Sequence, residues 1–383
     1  MLTLDTLDLK RTLLSFLGGL ITYLIICYFK KTGVEIHFSN EKFKSFVNQA
    51  ASLKTKRFFP FPFVSFPIGQ SWLSHKFPCE KVEVLVHTRE SFQFSTGGTG
   101  NVEWITEKNK DSNKYNPNYI AFILPGLQSK PTAYYLQDLY CKLLRANFRT
   151  VLFMPRFNEP KFELPRNRHL DLIQDIRDGI QFVKSKYPNA KLIGVGHSYG
   201  GNSLVNYLSK YKEEKDFIAA VTVANPFNFE KGAVKIKGTI VDNFLTVGLK
   251  KIVQAAIDDV VREAEYHKWK VQDIMNGKNT YEIDEIFTSK LLGYKNANDY
   301  YKNIGCGNRV FDVKIPLLFM NSYDDSFIDH TGLPITGHKQ NDNLICIMSR
   351  GGGHIGWVQG LFKFRRWHTQ VITDFVKWTA DTA

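Results

Sequence analysis

Three clusters in this chain hold residue types that could carry out acyl chemistry: a serine in "GHSYG" (Gly196 to Gly200), two aspartates closing "IPLLFMNSYDD", and a histidine after three glycines in "GGGH". A serine hydroxyl is a weak nucleophile until a positioned base takes its proton, and the base needs a carboxylate to orient it. Ser198, then Asp324 or Asp325, then His354 is the order in which a nucleophile-elbow hydrolase arranges those groups. Spacing admits either aspartate, with Asp325 favoured. His330 and His338 follow no buried strand directly and are poorer candidates for the base, while His197 and His368 read as core or surface residues. The developing oxyanion needs backbone donors. Leu127, in "ILPGLQS" after an apolar run, and Tyr199, directly after the serine, supply the expected pair of N–H groups, although the first stretch also reads as a plain strand-to-helix turn.

Elements of a definite kind must hold these groups. "KLIGV" runs straight into Ser198, and "YGGNSLVNYLSKY" follows with helical spacing at Leu204, Val205 and Leu208, which is the strand, tight turn and helix of a nucleophile elbow. Gly196 and Gly200 lack the β-carbons that would crowd so sharp a turn. "YIAFIL", "TVLFM", "KLIGVG", "AAVTVA", "PLLFMN" and "NLICIM" are short apolar runs of the kind that fills a parallel sheet, and "KVEVLVH" and "NVEWI" read as earlier strands. Helical stretches between them, such as "HLDLIQDIRDGIQFVKSKY", predict an α/β fold: an eight-stranded, mostly parallel sheet with helices on both faces. About ninety residues separate "AAVTVA" from "PLLFMN", far more than a simple connection needs. They contain an amphipathic stripe at Leu245, Leu249, Ile252, Ala256 and Val260, and predict an inserted helical cap over residues 226–313.

The rest of the chain narrows the setting. Five widely spaced cysteines make no C-x-x-C pair, so neither a disulfide framework nor a metal site is expected, and no cofactor is implied. The absence of any N-x-S/T sequon leans away from a lumenal body. A net charge of +13 admits nucleic acid or an anionic membrane as partner, but no zinc-finger, RNP or basic-zipper pattern occurs. The basic excess follows one apolar segment, "TLLSFLGGLITYLIICYF" (Thr12 to Phe29), which is bracketed by Lys10-Arg11 and Lys30-Lys31. As a helix it is about 27 Å long, enough for a bilayer core, and no small-residue cleavage site follows it. Residues 1–31 are therefore read as a retained single-pass anchor in an internal membrane such as the endoplasmic reticulum, with lysine placement leaving the body on the cytosolic side. Residues 32–79 read as a basic and aromatic linker. Its "RFFPFPFVSFP" packs rings on the body or, alternatively, on the bilayer. The hydrolase domain is residues 80–383.

Taken in order, "ILPGLQS", "GHSYGGNSLVNYL", "ANPFNF", "FTSKLLGYKNANDYY", "NSYDDSFID" and "GGGHIGW" resemble the membrane-anchored α/β-hydrolase-domain family related to YheT-like esterases. That group includes phospholipases, monoacylglycerol lipases and medium-chain fatty acid ethyl ester synthases. The resemblance covers roughly Phe59 to the C-terminus. It implies an α/β-hydrolase fold, a lipid ester substrate, a nucleophile at Ser198, a histidine at His354 and an acid most naturally at Asp325. It leaves three activities to weigh: hydrolysis, acyl transfer to an alcohol through the same acyl-enzyme, and a non-catalytic receptor or scaffold. Ser326 stands where the family commonly has proline after the acid, and Gln128-Ser129 where Thr-Gly usually completes the oxyanion turn.

Overall fold

Runs that are apolar on both faces need cover on both faces, and in this chain they assemble into the centre of one sheet. The computed structural model describes residues 14–19, 22, 25–26, 28–30, 32–110, 115–360 and 363–383. Apart from a two-residue ribbon of Val358–Gln359 with Arg365–Arg366, its strands are β1 (Val34–Phe38), β2 (Leu85–Gln93), β3 (Thr99–Glu107), β4 (Asn116–Leu124), β5 (Phe148–Met154), β6 (Lys191–His197), β7 (Phe217–Val223), β8 (Leu317–Ser322) and β9 (Leu344–Ser349). They form one sheet in the order β1-β9-β8-β7-β6-β4-β5-β3-β2. The stretch from β9 to β5 is parallel throughout. Antiparallel strands close both edges, β1 on β9 at one and β3 and β2 beyond β5 at the other.

The sheet thus has nine strands where eight were expected. The extra one is β1, drawn from the segment read as a linker, with Ile36 opposite Ile347. Its five residues carry too short an alternation to be read alone; the open edge of β9 gives them a partner.

Helices α1 (Lys42–Gln49), α2 (Pro67–Lys76), α3 (Tyr134–Arg145), α4 (Leu172–Lys186), α5 (Tyr199–Lys210), α6 (Phe229–Ile236), α7 (Ile240–Ala255), α8 (Ala297–Ile304) and α9 (Trp367–Thr382) do most of the covering. In α4 the Asp171 carboxylate caps the N–H groups of Ile173 and Gln174, and Ile176, Ile180 and Val183 bury one stripe. The segment before β2 is held by its aromatics. Phe43, Phe46 and Phe58 are fully buried, Phe46 lying 5.7 Å from Trp378 and Phe58 5.6 Å from Trp367. A buried ion pair, Arg366 with Asp138, ties α9 to α3. The same aspartate accepts the N–H groups of Cys79 and Glu80 at 3.0 and 2.9 Å, and Arg366 donates to the Phe77 carbonyl at 2.8 Å.

Between β7 and β8 the chain builds a run of helices from Phe229 onward with a second apolar core, centred on Ile252, Val253, Val260, Ile274, Ile283 and Leu291. Phe157, Phe162 and Leu164, from the long connection after β5, join this core. Asp259 and Glu263 fasten that connection by accepting the N–H groups of Leu164 and Asn167 at 2.7 and 2.8 Å. The cap is therefore made from two separate stretches of chain.

The expected membrane span, Thr12 to Phe29, lies partly outside the described residues; its described members, Leu14–Gly19, Thr22, Ile25, Ile26, Tyr28 and Phe29, are helical. Among the described residues no helix is long and apolar enough to cross a membrane.

Candidate active site

The turn after β6 sets the site. Ser198 has φ +50° and ψ −121°, a conformation that side-chain-bearing residues avoid, and it persists because the surroundings fix it. Its N–H donates to the Val223 carbonyl at 2.8 Å, and its carbonyl accepts from Gly201 and Asn202 at 2.9 and 3.1 Å. Glycine is required on either side. A β-carbon at Gly196 would lie 2.6 Å from the Gly201 Cα, and one at Gly200 would lie 2.4 Å from the Pro125 carbonyl oxygen. The second contact also brings the turn after β4 against the start of α5.

His354 reaches the serine from the loop after β9. Its Nε2 is 2.9 Å from Ser198 Oγ and its Nδ1 is 2.9 Å from Asp325 Oδ2. Asp325 is fully buried, and its other oxygen accepts the N–H groups of Phe327 and Ile328 at 2.7 and 3.1 Å. Those two bonds hold the carboxylate toward the imidazole. Asp324 turns the other way, its Oδ1 accepting the Gly353 N–H at 2.9 Å. The Phe327 ring stacks on His354 at 4.3 Å. Ser198, Asp325 and His354 are thus brought into one hydrogen-bonded chain, whereas His330 and His338 take other surroundings: His330 rests on Tyr323 and His338 on the Ile335 carbonyl.

Leu127 and Tyr199, the two expected oxyanion donors, sit in the turn after β4 and at the first position of α5. A helix N-terminus leaves its first N–H groups without intrahelical partners, so the Tyr199 N–H is free to meet negative charge. The turn itself is stapled by side chains that local spacing does not reveal. Asn158 Nδ2 donates to the Gly126 and Ser129 carbonyls at 2.7 and 3.0 Å, and Tyr135 Oη accepts the Gly126 N–H at 3.1 Å while donating to Ser129 Oγ at 2.7 Å. Burial pushes the Tyr135 hydroxyl up to about 12, which keeps it a donor. Gln128, at φ +59°, donates to the Gly248 carbonyl of α7 and joins the turn to the cap.

The histidine loop has a comparable clamp in α2. Ser71 Oγ accepts the His354 N–H at 2.9 Å, Ser74 Oγ donates to the Ile355 carbonyl at 2.6 Å, and Gln70 Oε1 accepts the Val358 N–H at 2.8 Å. These partners lie more than 280 residues apart in sequence, and no motif announces them. His197, beside Ser198, is buried under Tyr135 and near His368, and desolvation lowers its pKa to about 3.

Two cavities open on the Tyr199 side of the elbow. A small apolar one is bounded by Leu124, Leu127, Phe157, Leu172 and Tyr199. A larger one of about 750 Å³ runs along α5 past Ser203, Asn206 and Lys210 to Tyr294 and Arg309. Neither is lined by Ser198 or His354, and the shared Leu172, Tyr199 and Ser203 make the two cavities neighbours. Among the described residues no cluster of three metal-ligating side chains occurs.

Comparison with known proteins agrees with this architecture. Residues 161–288 match a family described as "Alpha/beta hydrolase of unknown function (DUF915)". The chain is 28% identical over 329 residues to Phospholipase ABHD3 of Bos taurus, covering 84% of this chain and 78% of that protein. It is 26% identical over 208 residues to the monoacylglycerol lipase of Saccharomyces cerevisiae, covering 53% of this chain and 46% of the relative. It is also 26% identical over 222 residues to medium-chain fatty acid ethyl ester synthase/esterase 2 of the same yeast, covering 52% and 49%. The fold is that of an α/β hydrolase.

Proposed function

We propose that this protein is a serine hydrolase that cleaves carboxylic ester bonds of lipids, with Ser198 as nucleophile, His354 as general base and acid, and Asp325 orienting the imidazole. The observation that carries the reading is the continuous chain from Asp325 Oδ2 to His354 Nδ1 and from His354 Nε2 to Ser198 Oγ, each link 2.9 Å. As Ser198 Oγ bonds to the ester carbonyl carbon, its proton passes to His354 Nε2 and the carbonyl oxygen becomes an oxyanion. The Leu127 and Tyr199 N–H groups receive that charge. Collapse breaks the C–O bond to the leaving alcohol, which takes the proton from His354. Water, deprotonated by the same imidazole, then attacks the acyl-enzyme and returns the serine.

Lipid as the substrate class is supported by the phospholipase and lipase relatives. A retained anchor within residues 1–31 keeps the enzyme at an internal membrane, its catalytic body on the cytosolic side; the charge-bracketed apolar segment supports this. A purified Ser198→Ala protein is expected to lose turnover of both soluble and lipid esters. Unchanged turnover would refute the assignment.

A second reading, alcoholysis of the same acyl-enzyme, is favoured by the similarity to an ethyl ester synthase/esterase. Product analysis with a medium-chain acyl donor and added ethanol separates the two. Ethyl ester formed at the expense of free acid supports transfer; free acid alone at every ethanol concentration removes it.

A further inference from the structure

Two exposed apolar strips bracket Ser198 and are unexplained by packing within the chain. The first lies on residues 59–77, where Phe63, Phe66 and Trp72 are 78%, 55% and 52% exposed. It is fixed to the site, because Ser71, next to Trp72, accepts the His354 N–H at 2.9 Å. The second lies on the outer side of α7, where Ile240, Phe244 and Val247 follow at helical spacing and are 67%, 66% and 54% exposed. The same helix buries Val241, Leu249 and Ile252 on its inner side. A cap helix apolar on both sides has one face too many for a water-exposed position. α7 also borders the reacting groups: Gln128 of the oxyanion turn donates to its Gly248 carbonyl, and Phe244 lies 6.3 Å from the Phe327 ring that stacks on His354.

Charge decides what covers these strips. From Arg57 to Cys79 there is no Asp or Glu, while Arg57 and Lys76 are exposed. From Lys237 to Ile257 the only acid, Asp242, is buried, while Lys237 and Lys251 are exposed. A second copy of this chain would bring like charges together on such a face. An anionic bilayer instead offers acyl chains to the rings and headgroups to the rim of cations. Tyr28 Oη donates to the Pro60 carbonyl at 2.9 Å, joining the first strip to the helical residues 28–30, and in the helical stretch 14–19 Leu14 and Phe16 are also exposed.

We propose that the two strips are one docking face that seats the mouth of the Ser198 site on an anionic lipid surface, with Trp72 on one side and Phe244 on the other entering the headgroup boundary. The inference rests on the lipid-ester reading and deepens it. The tryptophans provide the test, because Trp72 is 52% exposed and the other five are at most 9% exposed. Full-length protein on phosphatidylcholine/phosphatidylserine vesicles with brominated acyl chains should show partial quenching of its tryptophan emission. That quenching should vanish in Trp72→Phe and fall in the double variant Phe63→Glu/Ile240→Glu.

The double variant should cleave vesicle-borne ester about tenfold more slowly and a short soluble ester at the wild-type rate. Vesicle-bound protein whose Trp72 is not quenched would overturn the docking face, and hydrolysis continuing there would leave the ester-hydrolase reading intact. Self-association in sedimentation that Ile240→Glu abolishes, without quenching on vesicles, would also overturn the inference and assign the face to a second copy.

Discussion

In the proposed mechanism Ser198, Asp325 and His354 act through one proton, so their substitutions should not be interchangeable with those of their neighbours. Asp325→Asn keeps the shape of the side chain but presents the wrong partner to His354 Nδ1. Its kcat should fall by about 10³ to 10⁴ with KM little changed, whereas Asp324→Asn retains an acceptor for the Gly353 N–H and should lose less than about tenfold. Steady-state kinetics on a soluble ester compare the two; equal losses would contradict the assignment of Asp325. His197 yields a different prediction, one of stability. Burial lowers its pKa to about 3, while an unfolded imidazole titrates near 6.5. Below pH 6.5 the unfolded chain binds a proton that the folded chain refuses, so stability is lost as pH falls from 6.5 toward 3. Between pH 7 and 5 His197 should cost ~2 kcal/mol, and urea titrations of His197→Leu should show a correspondingly flatter slope. An unchanged slope would show that His197 does not carry this pH dependence.

Elements place these residues, and the less conspicuous ones do as much of the placing as the motifs. Ser71→Ala removes the acceptor for the His354 N–H in α2, while Ser71→Thr retains a hydroxyl. The alanine variant should lower kcat several-fold, on the order of the 1 kcal/mol of one hydrogen bond, at unchanged KM, with threonine restoring part of it. A loss confined to thermal stability would make the contact merely structural. Arg366→Met leaves the Asp138 carboxylate buried without its cation and should cost about 3 to 5 kcal/mol in chemical denaturation. The six parallel strands, the elbow and the cap were legible in the sequence because apolar runs and glycines act locally. Residues 32–79 were not. β1 depends on the edge of β9, and Gln70, Ser71 and Ser74 of α2 hold a loop that the chain reaches only some 280 residues later. Likewise "PRFNEP" carries no sign that Asn158 staples the turn after β4. Of the cap core only the stretch between β7 and β8 was visible as an apolar stripe; Phe157, Phe162 and Leu164 join it through tertiary packing alone.

At the scale of the molecule, a sheet holding the chemistry at its strand ends is flanked on one side by a two-part cap and on the other by an aromatic N-terminal segment. If residues 1–31 anchor it, deleting them should leave turnover of a short water-soluble ester nearly intact and slow attack on vesicle-borne lipid. Raising the ionic strength should deepen that loss, since lysine attraction to anionic headgroups is screened over about 8 to 10 Å at physiological salt. A truncated protein that resists carbonate extraction, or cleaves vesicle lipid at the full-length rate, would contradict the anchor. The central claim is that Ser198 is the covalent nucleophile served by His354, and it is tested most directly by mass spectrometry of the full-length protein after a fluorophosphonate. The account predicts one stoichiometric adduct mapped to Ser198, formed slowly or not at all in His354→Ala and absent in Ser198→Ala. An unmodified Ser198 in protein that still turns over ester, or an adduct of equal rate in His354→Ala, would contradict it.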